Sequence, residues 1–372
     1  MNKILLLALL TLTTSPMLFS QMIVLPDGGV NQKSWIGQRV GTTDIEIHWN
    51  APGVKGREGK IWGTPVAHYG FTDIGFGTAK SSPWRAGANE CTAISFSTDV
   101  TIEGKPLPAG KYGFFIAVHA DSCTLIFNKN AEAWGAYFYK PEEDVLRVTV
   151  RQQKDLPQSR EWLAYTFSDP TKNSIIVALE WERWRIPFRV SVDAEKTTIA
   201  SIRRQLSTGM GFDGPSMQAA AQWCLTNNTN LEEAYLWITR ATDPTLGNMS
   251  TFAALSTKAG LERKMGKAAE ADKTMQVALD KASVIEMHGY GRQLLGQKKH
   301  SEALAVFQKN YEKYAGAWPT NVGLARGYSA TGDLKKALEH AKAALPQAPD
   351  DLNRTSLEGM IKTLSEGKAL AQ

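Results

Sequence analysis

The chain has 372 residues, 43% of them hydrophobic and 21% charged, which is the balance of a water-soluble globular protein long enough for two cored domains. A net charge of +5 is mild for this length, and no Lys/Arg cluster of the kind that tracks phosphates occurs, so nucleic-acid binding is not expected. Three cysteines, with no CxxC pair, give neither a disulfide framework nor a metal-ligand pattern.

The N-terminus, "MNKILLLALLTLTTSPMLFSQ", places Lys3 before an apolar run from Ile4 to Leu12 that is too short to span a bilayer. Pro16 and the small Ser20 follow. This is the pattern of a secretory signal peptide over residues 1–20, cut near Ser20–Gln21. The expected product is exported, periplasmic or extracellular. No cysteine stands at the cleavage point, since the first is Cys91, so a lipid anchor is not expected.

From about residue 22 to 200 the hydrophobic pattern has period 2. "TDIEIHWN" alternates Ile45, Ile47 and Trp49 with polar neighbours. "TAISFSTDVTI" and "KYGFFIAVHA" do the same, the latter with Tyr112, Phe114, Ile116 and Val118 on one face. "CTLIFN", "DVLRVTV", "EWLAYTF", "SIIVALEWERW" and "FRVSV" continue the series. The turn signals "EGKPLPAGK", "NKNAEAW", "KPEED" and "SDPTKN" separate them. Many short strands without intervening helical periods predict an antiparallel β-sandwich over residues 21–205. Eight of the eleven tryptophans fall in this part. Cys91 and Cys123 could pair if their strands are neighbours, although buried thiols are the preferred reading.

A linker is expected at 206–216, where "STGMGFDGPS" collects Gly, Ser and Pro. Beyond it, residues 217–372 have a helical period and an internal repeat. "LEEAYLWITRAT", "AAEADKTMQVAL", "HSEALAVFQKNY" and "LKKALEHAKAAL" superimpose on Ala234, Ala271, Ala303 and Ala337, which lie 37, 32 and 34 residues apart. Small residues at such anchors let paired helices approach closely, and Gly332 supplies a turn between helices. This segment resembles tetratricopeptide repeats, whose period is 34 residues. The resemblance implies an all-α repeat domain that offers a groove to a protein partner.

Strong catalytic signatures are missing: there is no GxSxG, HExxH, GxxxxGK[ST] or CxxC. "GFTDIGFGTAK" (70–80) lacks the third glycine of a dinucleotide loop and reads as a glycine-rich connection. The six histidines are scattered, and only His68, beside Tyr69, is weighed as functional. The polar knot "SPWRAGANECTAISFS" (81–96) is the best cluster. Trp84 offers an apolar wall, Arg85 a planar donor fork, Asn89 a donor and acceptor, and Glu90 an acid, base or ligand. Arg57 and Trp62, in "GREGKIWG", lie just upstream. The same knot also suits a turn that delivers the chain into a strand, with Arg85 and Glu90 paired to each other or to Arg57.

"GREGKIWG", "PWRAGANECTAISFSTDVTIEGKPLPAGKYGFF", "NKNAEAWGAYFYKPEEDVLRVTV" and "ALEWERWRIPF" together resemble the DUF2911 family, over roughly residues 22–195. The family pattern has a threonine where this chain has Ala86 and an alanine where it has Cys91, and it lacks the extra stretch "FTDIGFGTAKSS". The resemblance implies export, a β-rich fold and a helical-repeat companion; it carries no activity.

Three readings follow. The preferred one is a non-catalytic module that binds a small ligand or glycan in a β-domain pocket and a protein partner through the repeats. Its ligand residues would be Arg57, Trp62, His68, Tyr69, Trp84, Arg85, Asn89 and Glu90, with no cofactor or metal. The alternative is a hydrolase acting on a glycan or peptide-like substrate, with Glu90 as acid or base, Arg85 stabilising an anion, and His68 or Asp73 assisting. The least favoured is a metal-dependent module using His68, Asp73 and Glu90.

Overall fold

The computed structural model describes residues 30–314 and 316–371. The signal-peptide segment lies outside them. The chain divides into two compact units, the first ending at Thr198 and the second beginning at Ile199.

The first unit is built from eleven strands among the described residues: β1 (Gln32–Val40), β2 (Thr43–Ala51), β3 (Thr92–Phe96), β4 (Val100–Ile102), β5 (Lys105–Leu107), β6 (Gly110–Val118), β7 (Cys123–Asn128), β8 (Asp144–Val150), β9 (Arg160–Ser168), β10 (Ser174–Glu182) and β11 (Trp184–Ser191). They form two antiparallel sheets, ordered β1-β2-β3-β6-β7-β8 and β5-β4-β11-β10-β9. The period-2 residues face inward as expected. Ile45, Ile47, Ile94, Phe96, Phe114 and Ile116 meet Val177, Leu179, Ile186 and Phe188 in one buried core. Burying large side chains of this kind stabilises by about 1.5–3 kcal/mol each.

Three features of this unit were not expected. β1, "QKSWIGQRV", is an edge strand with most of its positions exposed, so it carries little hydrophobic alternation. "SIIVALEWERW" is not one strand but the whole of β10, a tight turn at Arg183 and the first residue of β11; buried Glu182 takes the left-handed conformation there without a glycine. "EGKPLPAGK" contains the short β5 as well as turns.

β6 is buried on both faces. Its inward residues belong to the sandwich core, whereas Phe115 and Ala117 pack outward with Ile126, Cys91, Ala133, Ala136 and Tyr139. The outer cover comes from segments 67–91 and 131–139. Cys91 and Cys123 are separate buried thiols, without a bond between them.

Ten helices follow among the described residues. α1 (Ala194–Leu206) runs across the division between the units. The Gly-rich 207–216 stretch is not extended. It forms a 3-10 turn over Gly209–Phe212, after which Asp213 caps the next helix by accepting a hydrogen bond from the Ser216 backbone N–H at 2.8 Å. The remaining helices are α2 (Gly214–Asn227), α3 (Leu231–Thr242), α4 (Phe252–Lys264), α5 (Ala268–Lys281), α6 (Val284–Gly296), α7 (His300–Lys313), α8 (Trp318–Thr331), α9 (Leu334–Ala344) and α10 (Asp351–Ser365). They alternate as short-looped pairs, α2/α3 through α8/α9, closed by α10. Ala234, Ala271, Ala303 and Ala337 each occupy the fourth position of the second helix in a pair, and all four are fully buried. Gly332 ends α8 in the left-handed conformation, φ +91°. Among the described residues no helix is long and apolar enough to cross a membrane.

Candidate functional site

The site lies where β3 stops. β3 begins at Thr92, opposite Phe114 of β6, and runs away from the last residues of β6. Beside those residues the sheet position is filled by single bridges: Trp84 pairs antiparallel with Ile116, and Tyr69 pairs in parallel with Val118. The Trp84 N–H and C=O both bond Ile116, at 3.0 and 2.9 Å. Two short loop segments are thus fixed to the sheet as rigidly as a strand would be.

The knot between them and β3 is a pinned turn. Ala86 and Asn89 take left-handed backbone conformations, φ +53° and +57°. The Ala86 carbonyl accepts hydrogen bonds from the Thr92 hydroxyl (3.0 Å) and the Tyr165 hydroxyl (2.9 Å), and all three residues are buried. Burial holds the Tyr165 phenol well above its usual range. The Ala88 N–H donates to the Asn50 carbonyl at 3.0 Å. A side chain at Gly87 would meet that same carbonyl and the Thr92 hydroxyl.

This turn divides the knot's side chains between two environments. Trp84 and Arg85 face a cleft of about 830 Å³, together with His68, Tyr69, Phe71 and Asp73. Asn89 and Glu90 do not line it. The Glu90 carboxylate accepts from Lys33 Nζ at 2.7 Å and Asn50 Nδ2 at 2.6 Å, and these donors hold its pKa below the usual carboxylate range. Asn89 Oδ1 accepts from Asn31 Nδ2 at 3.4 Å. Arg57 is likewise occupied elsewhere, donating to the Gly53 and Val54 carbonyls at 2.7 and 3.0 Å. Trp62 lies behind the cleft: it stacks on Trp184 with ring centres 4.5 Å apart and meets Trp84 and Trp181 edge-on. Neither ion pair suggested for Glu90, with Arg85 or with Arg57, is formed.

The opposing wall comes from Ala136 and Tyr137, which the motif reading did not single out as site residues. The glycine-rich 70–80 connection is tied to them. The Thr78 and Ala79 N–H groups both donate to the Tyr137 carbonyl at 3.0 Å, and Ser82 Oγ donates to the Ala136 carbonyl at 2.9 Å. Gly135, φ +60°, is required for close packing: a Cβ there would lie 3.0 Å from Arg85 Nη1 and 3.2 Å from the Tyr137 ring. The Arg85 guanidinium therefore lies against bare backbone, 5.8 Å from the centre of the Tyr137 ring.

Two buried nitrogens in this cleft lack hydrogen-bond partners, Arg85 Nε and His68 Nδ1. Burial is the main cause that lowers the His68 pKa, the Tyr69 backbone opposes it, and the Arg85 charge lowers it further. The imidazole is therefore neutral at pH 7. Asp73 caps its own loop by accepting from the Gly75 N–H at 2.9 Å and lies 3.7 Å from Lys80. Among the described residues no group of three His, Cys, Asp or Glu side chains is placed to hold a metal ion.

The helical unit has a groove of its own, about 650 Å³, lined by the first helices of successive pairs: Leu225 of α2, Phe252 and Arg263 of α4, and Glu286, Tyr290 and Gln293 of α6.

The family model of DUF2911, a protein family of unknown function, matches residues 31–190, and a tetratricopeptide repeat model matches residues 294–359. No curated protein matches significantly. Similar solved structures include MamA 41-end from Desulfovibrio magneticus RS-1 (16% identity over 42% of this chain and 96% of that chain, TM-score 0.27). The MamA RS-1 ArsTM double mutant is similar at 19% identity over 42% and 92%, TM-score 0.28. The APC/C hetero-tetramer Cut9-Hcn1 is similar at 16% identity over 44% and 33%, TM-score 0.28. The chain thus carries a DUF2911 domain, built as two antiparallel sheets, followed by tetratricopeptide-type helical repeats.

Proposed function

We propose that this is an exported binding protein of two parts, a β-unit that holds a small ligand in the Trp84–Arg85 cleft and a helical unit that docks a protein partner in its groove. The observation that carries the first part is the pair of buried, unpartnered nitrogens, Arg85 Nε and His68 Nδ1, in one cleft. A buried donor left unsatisfied costs about 1–3 kcal/mol, so such groups gather where a ligand or water completes them. The cleft is within the volume range of small-molecule sites, and its lining mixes aromatic rings with polar and charged groups. Export rests on the N-terminal sequence pattern alone. The partner reading rests on the repeats, whose stacked first helices present a continuous surface.

The hydrolase reading loses its central pair. Glu90 is engaged by Lys33 and Asn50 and does not line the cleft that contains Arg85. A binding role needs no such pair.

The test is a thermal-shift panel of sugars, organic acids and short peptides on the full chain. Any compound that binds the folded state raises the melting temperature, by about 2.7 kcal/mol of added stability at a hundred times its Kd. The expected result is a stabilising compound whose effect disappears in Tyr69→Ala, an exposed ring on the cleft wall. A panel compound that is cleaved on incubation would replace binding with catalysis.

A further inference from the structure

Taking the cleft as a ligand site, we infer that its ligand is a monoanionic carboxylate on a flat aromatic body, gripped by the Arg85 guanidinium. The argument begins with charge. Arg85 lies on the cleft wall, and among the described residues it has neither an ion pair nor a side-chain hydrogen bond. A partly buried guanidinium without a counter-charge is costly, and a planar carboxylate satisfies its donor fork through two parallel hydrogen bonds. The other ionisable groups on the wall do not supply that counter-charge. Asp73 is held by its own loop and lies beside Lys80.

The charge count sets the ligand's valence. Asp73 and Lys80 offset one another, which leaves a single positive charge at Arg85. A monoanion neutralises it; a dianion would bring excess negative charge beside the Asp73 carboxylate. The walls set the body. Tyr69 and Phe71 are large aromatics left partly exposed at the cleft, and Tyr137 lies beneath the guanidinium. Flat rings of this kind favour a flat partner by stacking or edge contact.

The test uses two probes of equal shape, 2-naphthoate and 2-naphthamide, titrated calorimetrically into the full chain, Arg85→Gln and Arg85→Lys. The expected result is that the acid binds the unaltered chain at least tenfold more tightly than the amide. Arg85→Gln should weaken the acid by about 10–100-fold, the scale of a charge-assisted bidentate contact, with little change for the amide. Arg85→Lys should lie between, because an ammonium keeps the charge and loses the fork. The comparison of acid with amide on the unaltered chain stands even if a variant fails to fold. Equal affinity for the two probes, or unchanged acid binding in Arg85→Gln, overturns the carboxylate assignment and leaves the cleft as a site for neutral ligands. If neither probe binds while a neutral compound from the wider panel does, the result is the same. If neither probe and no panel compound binds, the ligand-site reading falls with it.

Discussion

Phe307 of α7 is fully buried, and its ring sits in a socket made of glycines. A methyl group at Gly291 of α6 would lie 2.6 Å from the ring's Cζ and 2.8 Å from Cδ1. At Gly323 of α8 it would lie 2.5 Å from Cδ1, and at Gly327 3.0 Å from Cδ2. The ring is held from two helices, so it cannot move off one glycine without approaching another. Ordinary carbon contacts are about 3.5–4.0 Å, so Gly291→Ala forces a displacement on the order of an ångström, and overpacking of this kind costs about 1–3 kcal/mol.

The opposing term is helix propensity, since alanine is better than glycine by about 0.8–1.0 kcal/mol in a helix interior. Gly289 lies two residues away in the same helix, and a methyl there meets no atom within 4 Å. Gly289→Ala should therefore stabilise by about 1 kcal/mol, whereas Gly291→Ala should destabilise by up to about 2 kcal/mol net. One substitution, two residues apart, has opposite signs. Thermal unfolding followed by the helical circular dichroism band reads it, at about 2–4 °C per kcal/mol for a unit of this size. Adding Phe307→Leu should soften the penalty of Gly291→Ala, because the clash is with the ring. Gly291→Ala as stable as Gly289→Ala would refute the socket.

Glu90→Gln should cost under about 1 kcal/mol, because the Lys33 pair is exposed to solvent, and should leave the Trp84–Arg85 cleft intact. The Glu90 pKa is lowered in the fold, so its contribution is complete above the unfolded value near 4.5 and lost as pH falls through the folded value. Acid titration of the melting temperature below pH 4.5 should accordingly be flatter in the variant than in the unaltered chain. The imidazoles of His68, His288 and His340 are all held below 6.5, in each case chiefly by burial. Their unfolded forms take up protons first, so stability should be complete above about pH 6.5 and fall as pH drops toward 5. A melting temperature that rises over that interval would contradict the burial of these rings. Burial pushes the Cys91 thiol up to about 11 and the Cys123 thiol up to about 12. Both should resist alkylation at neutral pH and react fully once urea unfolds the chain, and peptide mass mapping that finds them joined would refute the free-thiol assignment.

The sandwich was legible because its strands are half-buried, so Ile45, Ile47, Phe114 and Ile116 repeat at the period the sheet imposes. β1 was not legible, because an edge strand with two largely exposed faces has no such period. The repeats were legible through the alanine anchors, which must be small for any helix pair to close. Of the residues singled out by type, His68, Tyr69, Trp84 and Arg85 line the cleft, and Arg57, Trp62, Asn89 and Glu90 do not. Ala136 and Tyr137 were not found, since a wall that contributes backbone carbonyls and a ring has no chemical signature. Gly135 is the one hint in that segment.

The division of the knot explains why contiguous polar residues were read as one site. Between Arg85 and Glu90 the chain passes twice through the left-handed region, at Ala86 and Asn89. Each such residue redirects the chain outside the alternation of a strand, and sequence spacing no longer tells which side chains share a face. Ala86, Ala88 and Thr92 are consumed in fixing that path: their backbone and hydroxyl groups bond Asn50, Tyr165 and one another, and the missing side chain of Gly87 lets the Asn50 carbonyl and the Thr92 hydroxyl close in. Asn89 and Glu90, beyond the second reversal, tie the turn to the first two strands through Asn31, Lys33 and Asn50. Only Trp84 and Arg85, ahead of the first reversal and bonded to β6 through Ile116, are carried by the sheet into the cleft. The turn from Ala86 to Thr92 is thus fixed by its own bonds, and Trp84 and Arg85, just ahead of it, line the cleft. The unpartnered Arg85 Nε is kept from water by the packing around its side chain, whose guanidinium lies against the Gly135 backbone and beside the Tyr137 ring.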